Sequence, residues 1–252
     1  MSRPVILVSN DDGIDAPGLL ALEAAMAEVG EVWTVAPATE QSARSHALTM
    51  HDPLRVERRG ERRWAVSGTP ADCAYLALLH LVPSRPDILL SGINPGSNLG
   101  ADIWYSGTVA AAREACLHGI PSIAVSQHRP MAGDGPHWET AGAVAIRVLK
   151  ALLADPMPPW TYLNVNVPDL ALADLRGLAA CPLGRRTYAH QVDVREDPRG
   201  RMYFWIGGPH ETFEGAGTDG VMLEEGWATL TSLGAYPADD GAIARVRAWT
   251  DR

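Results

Sequence analysis

Near its start the chain places two adjacent carboxylates, Asp11 and Asp12, directly after an apolar run in VILVSNDDGIDAPG. Like charges side by side repel each other, a cost that a cation between them removes. Two later polar segments supply oxygens of other kinds. PATEQSARSHA offers the hydroxyl of Ser42, and SGINPGSNLG the amide oxygen of Asn94. Two carboxylates, a hydroxyl and an amide oxygen, with neither imidazole nor thiolate, suit a hard divalent cation such as magnesium or manganese. So few protein ligands leave coordination positions for water and a substrate oxygen. In YSGTVAAAREA, Ser106, Gly107 and Thr108 open a helix, whose exposed N–H groups and dipole favour an anion. A cation site facing a helix N-terminus is a phosphoester site in outline.

These residues mean more together than apart. Asp-Asp-Gly after a strand is, by itself, usually a turn, and Ser42 alone is an ordinary loop hydroxyl. The glycines around Asn94 and Asn98 suit turns as well as close backbone approach to a ligand, and Asn98 is a candidate phosphate contact. Arg44 and His46 share the serine loop and could meet a phosphate, but they read at least as well as solvated side chains and are left out of the site; the other histidines show no ligand spacing.

The elements that position these groups alternate between strand and helix. Pro4–Ser9, Glu31–Ala36, Asp87–Ser91, Ser122–Ser126 and the segment YLNVNV read as strands. Helical patterns cover Gly18–Val29, PADCAYLALLHL after a capping Thr69, Thr108–Leu117 and Trp138–Leu153. Near-continuous apolar strands between helices imply a parallel sheet covered on both faces, a doubly wound α/β core over residues 1–182. In such a sheet, ligands sit beyond the carboxyl ends of the strands. The loops holding Asp11 and Asp12, Ser42, and Asn94 all follow strands, so all three belong on one rim. Residues 183–252 change character. Two strands, RRTYAHQVDV and RMYFWIGG, flank an EDPRG turn, and a short C-terminal helix closes the chain. Three consecutive aromatics, Tyr203, Phe204 and Trp205, cannot share one face of a hairpin. One face is therefore expected to pack on the core or a neighbouring hairpin and the other on a second subunit.

Composition narrows the class. The 252 residues are 46% hydrophobic and 20% charged, as in a soluble globular protein. A net charge of −9 argues against a stable nucleic-acid complex, though one bound cation can reverse the field locally. There is no run long enough to span a membrane, and the short apolar run of MSRPVILVSNDDG, which enters acidic residues, is not expected to act as a secretory leader. Cys73, Cys116 and Cys181 lie far apart and are odd in number, so a cytoplasmic location is expected.

Taken in order, ILVSNDDGIDAPG, GTPADC, SGINPGSNLG and YSGTVAAA closely resemble the SurE family of survival-protein nucleotidases, and LNVNVPD and DPRG…YFWIG extend the match. The resemblance implies a Rossmann-like core with a C-terminal oligomerisation arm, in a homodimer or homotetramer. It implies a metal-dependent phosphomonoesterase acting on nucleoside 5′- and 3′-monophosphates, with one magnesium or manganese ion per subunit. The metal ligands then fall on Asp11, Asp12, Ser42 and Asn94; read from the residues themselves, the catalytic groups are expected at Asp11 and Asp12 and the phosphate contacts at Asn98, Ser106, Gly107 and Thr108. Two other mechanisms compete. An aspartyl-phosphate route is disfavoured because adjacent side chains on an extended segment point opposite ways. A nucleotide-binding regulator would have less need of a hydrolytic metal.

Overall fold

The computed structural model of the chain describes residues 3–128, 136–188, 192–206 and 211–236. Its first half runs β1 (Val5–Ser9), α1 (Pro17–Ala27), β2 (Glu31–Pro37), β3 (Val56–Gly60), β4 (Arg63–Val66), α2 (Pro70–Leu76), β5 (Ile88–Pro95) and α3 (Gly107–Leu117). The second half runs β6 (Ser122–Gln127), α4 (Trp138–Ala154), β7 (Thr161–Val167), β8 (Gly177–Ala180), β9 (Arg185–Tyr188), β10 (Val192–Glu196), β11 (Met202–Ile206), β12 (Glu211–Glu214), α5 (Asp219–Glu224) and β13 (Trp227–Gly234).

One sheet has the order β3-β4-β2-β1-β5-β6-β7-β13-β8. From β4 to β7 all neighbours are parallel. Within that block the strands lie third, second, first, fourth, fifth, sixth in chain order, the doubly wound arrangement expected. The order reverses between β1 and β5, which opens a crevice at their carboxyl ends.

Strand alternation divides the core into two layers. Ile6, Val8, Ile88, Leu90, Ile123 and Val125 pack with Leu19, Leu22 and Met26 of α1 and Val144 and Val148 of α4. Their neighbours Leu7, Leu89 and Ala124 point the other way, onto Cys73 of α2 and Ala111, Ala112 and Ala115 of α3. Helix α2 begins as the sequence predicts. Thr69 Oγ1 accepts from the Asp72 N–H at 3.2 Å and Asp72 Oδ2 from the Thr69 N–H at 2.9 Å, a capping box. The helix predicted over 70–81 is α-helical only to Leu76 and closes in a wider π turn over Ala77–Leu81.

The C-terminal part departs from the expected layout. Strand β13 re-enters the main sheet, antiparallel to β7 and parallel to β8, so residues beyond 183 also build the core. The single hairpin expected is divided into two successive antiparallel pairs: β10 lies against β11, and β9 against β12. Every residue of β10 and β11 is exposed, so neither face of that pair packs on the core as expected. The short helix expected at the C-terminus lies outside the described residues.

Candidate active site

The crevice between β1 and β5 holds a cleft of about 260 Å³ lined by Asp11, Ser42, Asn94, Asn98 and Ser106, with Ser97, Asp102, Tyr105 and Arg186 completing the wall. Five of the eight residues expected from sequence therefore meet on one rim. A second pocket of about 250 Å³ lies at the opposite ends of the strands, where Cys116, Leu152, Met157 and Trp160 give it an apolar lining.

Asp11 is 5% exposed and accepts a hydrogen bond from Thr108 Oγ1 at 2.5 Å. Burial raises its pKa, while bonds from the Thr108 hydroxyl and from the backbone at Asp11, Thr108 and Gly107 pull it back only in part. The carboxylate thus sits against the N-terminus of α3, where the helix dipole favours negative charge. Gly107 makes that approach possible: a Cβ there would lie 2.8 Å from Asp11 Cβ and 3.0 Å from Asp11 Oδ2. Sequence reasoning assigns Gly107 and Thr108 to a phosphate; in the structure both engage Asp11. Ser106 lines the cleft, and its hydroxyl caps α3 by accepting from the Val109 N–H at 3.1 Å. Asp12 is partly buried. The turn presenting the pair is closed by Asn10, whose Nδ2 donates to the Gly13 carbonyl at 3.0 Å and whose Oδ1 accepts from the Gly13 N–H at 3.3 Å.

Asn94 sits just past an irregularity in which β5 and β6 lose register between Ser91 and Asn94. Such a bulge re-aims the side chain that follows it. Gly92 is needed there, because at φ +139° a Cβ would fall 2.1 Å from the Val125 carbonyl oxygen. Asn94 Nδ2 donates to the Gly96 carbonyl at 2.7 Å, which leaves Oδ1 on the opposite edge of the amide as an acceptor. Asn98 is locked in place. Its N–H donates to Asn166 Oδ1 at 2.8 Å, its carbonyl accepts from Asn164 and Asn166, and its Nδ2 donates to Ser126 Oγ at 2.8 Å. Sequence reasoning passed over Asn164 and Asn166, although two asparagines in a buried strand must find partners.

Two further features were not anticipated. Arg186, in the C-terminal part, reaches the cleft and pairs with Asp102, both side chains 10% exposed. Asp219 of α5 accepts from the backbone N–H groups of Gly100 at 2.9 Å and Gly184 at 2.7 Å, fastening this wall to the core. The serine loop is strained. Ala43 and Ser45 hold φ of 59° and 56°, a left-handed conformation that costs an L residue about 1–2 kcal/mol. Ser42 is exposed and donates to Glu40 at 2.8 Å. Arg44 is exposed as expected, but His46 is not a solvated side chain: its Nε2 lies 2.6 Å from Glu114 Oε2. Burial pushes the Glu114 carboxyl up, but hydrogen bonds from His46 and His118 and their favourable electrostatics outweigh it and hold it below its ordinary value.

The residues present fit a divalent cation. Asp11 is a buried carboxylate whose hydrogen bonds come from the neutral Thr108 hydroxyl and backbone N–H groups, the Asn94 amide spends its nitrogen on Gly96 and keeps its oxygen as an acceptor, and the donors are all oxygen. Among the described residues no group of three or more His, Cys, Asp or Glu side chains forms a metal cluster, so the set stays within two carboxylates.

The family described as Survival protein SurE matches residues 6–190. This chain belongs to the SurE family. The matched stretch contains every cleft residue from Asp11 to Arg186. Proteins named 5′-nucleotidase SurE are 44% identical over 245 residues in Alkalilimnicola ehrlichii, covering 97% of this chain and 94% of that one. In Aeromonas hydrophila a protein of that name is 44% identical over 253 residues, 98% of each chain. The crystal structure of the SurE protein from Aquifex aeolicus superposes with a TM-score of 0.85 at 34% identity, over 98% of this chain and all of that one. The α/β fold is therefore that of the SurE family.

Proposed function

We propose that this chain is a divalent-metal-dependent nucleotidase that hydrolyses nucleoside 5′-monophosphates, and 3′-monophosphates at the same site, to nucleoside and phosphate. The observation that carries this reading is the seating of the Asp11 carboxylate on the N-terminus of α3, in the cleft shared with Ser42 and Asn94. The names borne by the relatives support the substrate class.

Asp11, Asp12, Ser42 and Asn94 would hold one magnesium or manganese ion. Bound there, the ion supplies Lewis acidity toward a phosphoryl oxygen and lowers the pKa of a water. Thr108 orients Asp11 through its hydroxyl, and Asp11 is the group proposed to take the proton from the attacking water. Asn98, held by Asn164, Asn166 and Ser126, presents a rigid wall to the substrate phosphate beside Ser106. Such pre-set geometry lowers the barrier because nothing must reorganise as charge develops.

The exposed Val192, Val194, Met202, Tyr203, Phe204, Trp205 and Ile206 of β10 and β11 favour pairing with a second copy, in a homodimer or homotetramer. No helix among the described residues is long and apolar enough to cross a membrane; residence in the cytoplasm is part of this proposal. Phosphate release from nucleoside 5′-monophosphates with manganese or magnesium, against a chelated control, tests the function. Binding without turnover in either metal would leave a nucleotide sensor instead. A phosphorylated protein trapped by rapid quench would point to an aspartyl-phosphate.

A further inference from the structure

The cleft takes Ser42 from a loop whose shape its own residues do not favour. Ala43 and Ser45 are both left-handed without being glycine. Such conformations persist only where the surroundings over-determine them. On the N-terminal side of Ser42, the Gln41 N–H donates to the Asp11 carbonyl at 2.7 Å. On the C-terminal side the anchors are Ser45 and His46. Ser45 donates from its N–H to the Tyr105 carbonyl at 3.0 Å and from Oγ to the Trp104 carbonyl at 2.5 Å. The span between the anchors, Ser42 to Arg44, is exposed.

His46 makes the firmest of these anchors. Arg113 Nε donates to His46 Nδ1 at 2.8 Å, so Nδ1 is the accepting nitrogen. Nε2 therefore carries the hydrogen and donates it to Glu114 Oε2 at 2.6 Å. The acceptor is a carboxylate 5% exposed, on the helix whose N-terminus receives Asp11. A charge-assisted bond at one nitrogen and a second bond at the other fix the imidazole in its plane. Both the loop and Asp11 are thereby referenced to the same rigid helix.

We propose that His46, held between Arg113 and Glu114, is a positioning residue that sets where Ser42 presents its hydroxyl to a divalent cation. It does not touch the ion or the substrate; it acts through Ser42. The proposal rests on the metal reading given above.

The test titrates Mn²⁺ into the full chain and reads free Mn²⁺ by electron paramagnetic resonance, so turnover is not needed. Losing a group that orients a metal ligand typically weakens binding 10–100-fold, and His46→Ala is expected to raise the Mn²⁺ dissociation constant about tenfold. His46→Gln, whose amide can still donate to Glu114, should recover most of that loss. Ser42→Ala should weaken Mn²⁺ binding comparably, and adding His46→Ala to it should cost nothing more, because the route through Ser42 is already gone. His46→Phe keeps the ring volume without either hydrogen bond and serves if His46→Ala does not fold. Wild-type affinity in His46→Ala and His46→Phe would overturn the proposal. So would an equal further loss in the Ser42→Ala background, since that is how a general structural role behaves. Asp11→Asn is run beside them: if it binds Mn²⁺ as well as the wild type, the metal reading has failed, independently of any His46 variant.

Discussion

Replacing Gly107 with alanine asks whether Asp11 must sit on α3. The new Cβ would lie 2.8 Å from Asp11 Cβ, 3.0 Å from its Oδ2 and 3.0 Å from Pro70 Cγ. Carbon atoms in comfortable contact are about 3.5–4.0 Å apart, so the Asp11 side chain has to retreat by roughly 0.7–1.2 Å. Pro70 stands close on the same methyl, which limits how far α3 can yield instead. A shift of that size breaks the bond from Thr108, and hydrogen bonds to charged groups contribute about 1.5–3 kcal/mol. A misplacement near 1 Å at a reacting centre costs about a hundredfold in rate, roughly 2.7 kcal/mol. We expect kcat/KM for a nucleoside 5′-monophosphate with Mn²⁺ to fall by about that factor. Stability should fall by less than the rate does. Gly107 has no positive φ, and alanine in an ordinary helical conformation gains about 0.4–1 kcal/mol through the unfolded chain, which offsets part of the lost Thr108 bond. Phosphate-release kinetics and a thermal melt on the same sample separate the two effects. A kcat/KM within roughly threefold of wild type, in a folded variant, would show that the seating of Asp11 on α3 does not matter to the reaction.

Three other outcomes follow from the same geometry. Asp11→Asn and Asp12→Asn should each lower metal-dependent turnover at least about 10²-fold while the fold survives, as read by nucleotidase assay and circular dichroism. Deleting residues 192–206 and bridging with a short Gly/Ser turn spares Arg186; light scattering should show a smaller species that still binds Mn²⁺, and an unchanged oligomer would rule out β10 and β11 as the interface. Glu114, ordinarily titrating near 4.5, is depressed in the folded protein. Its contribution is therefore complete above about pH 4.5 and is lost as pH falls through the lower folded value. Melting temperature against pH should show an acid limb that flattens in Glu114→Gln.

Most of what this protein is could be read from the order of its residues. Apolar strands alternating with helices imply a parallel sheet, and that sheet places the loops after its strands on one rim. Asp11, Ser42 and Asn94 therefore meet although 83 positions separate the first from the last. That inference is local periodicity plus one handed connection rule, and both are written in the chain. The partners of these residues are not. Gly107 reads as a phosphate contact, and only folding shows that Asp11 lies against it; His46 reads as solvated until Glu114, 68 positions away, meets it. Arg186 gives no sign that it belongs to the cleft, since its pairing with Asp102 depends on how β9 and β12 dock. The strand pairing of the C-terminal part is likewise decided in three dimensions. β13 carries a polar-apolar alternation that suits an edge as well as an interior, and the free edge of β7 selects it for the sheet. Sequence pattern specifies which faces are apolar; which groups neutralise one another across the fold is set by distances that only the packed chain defines.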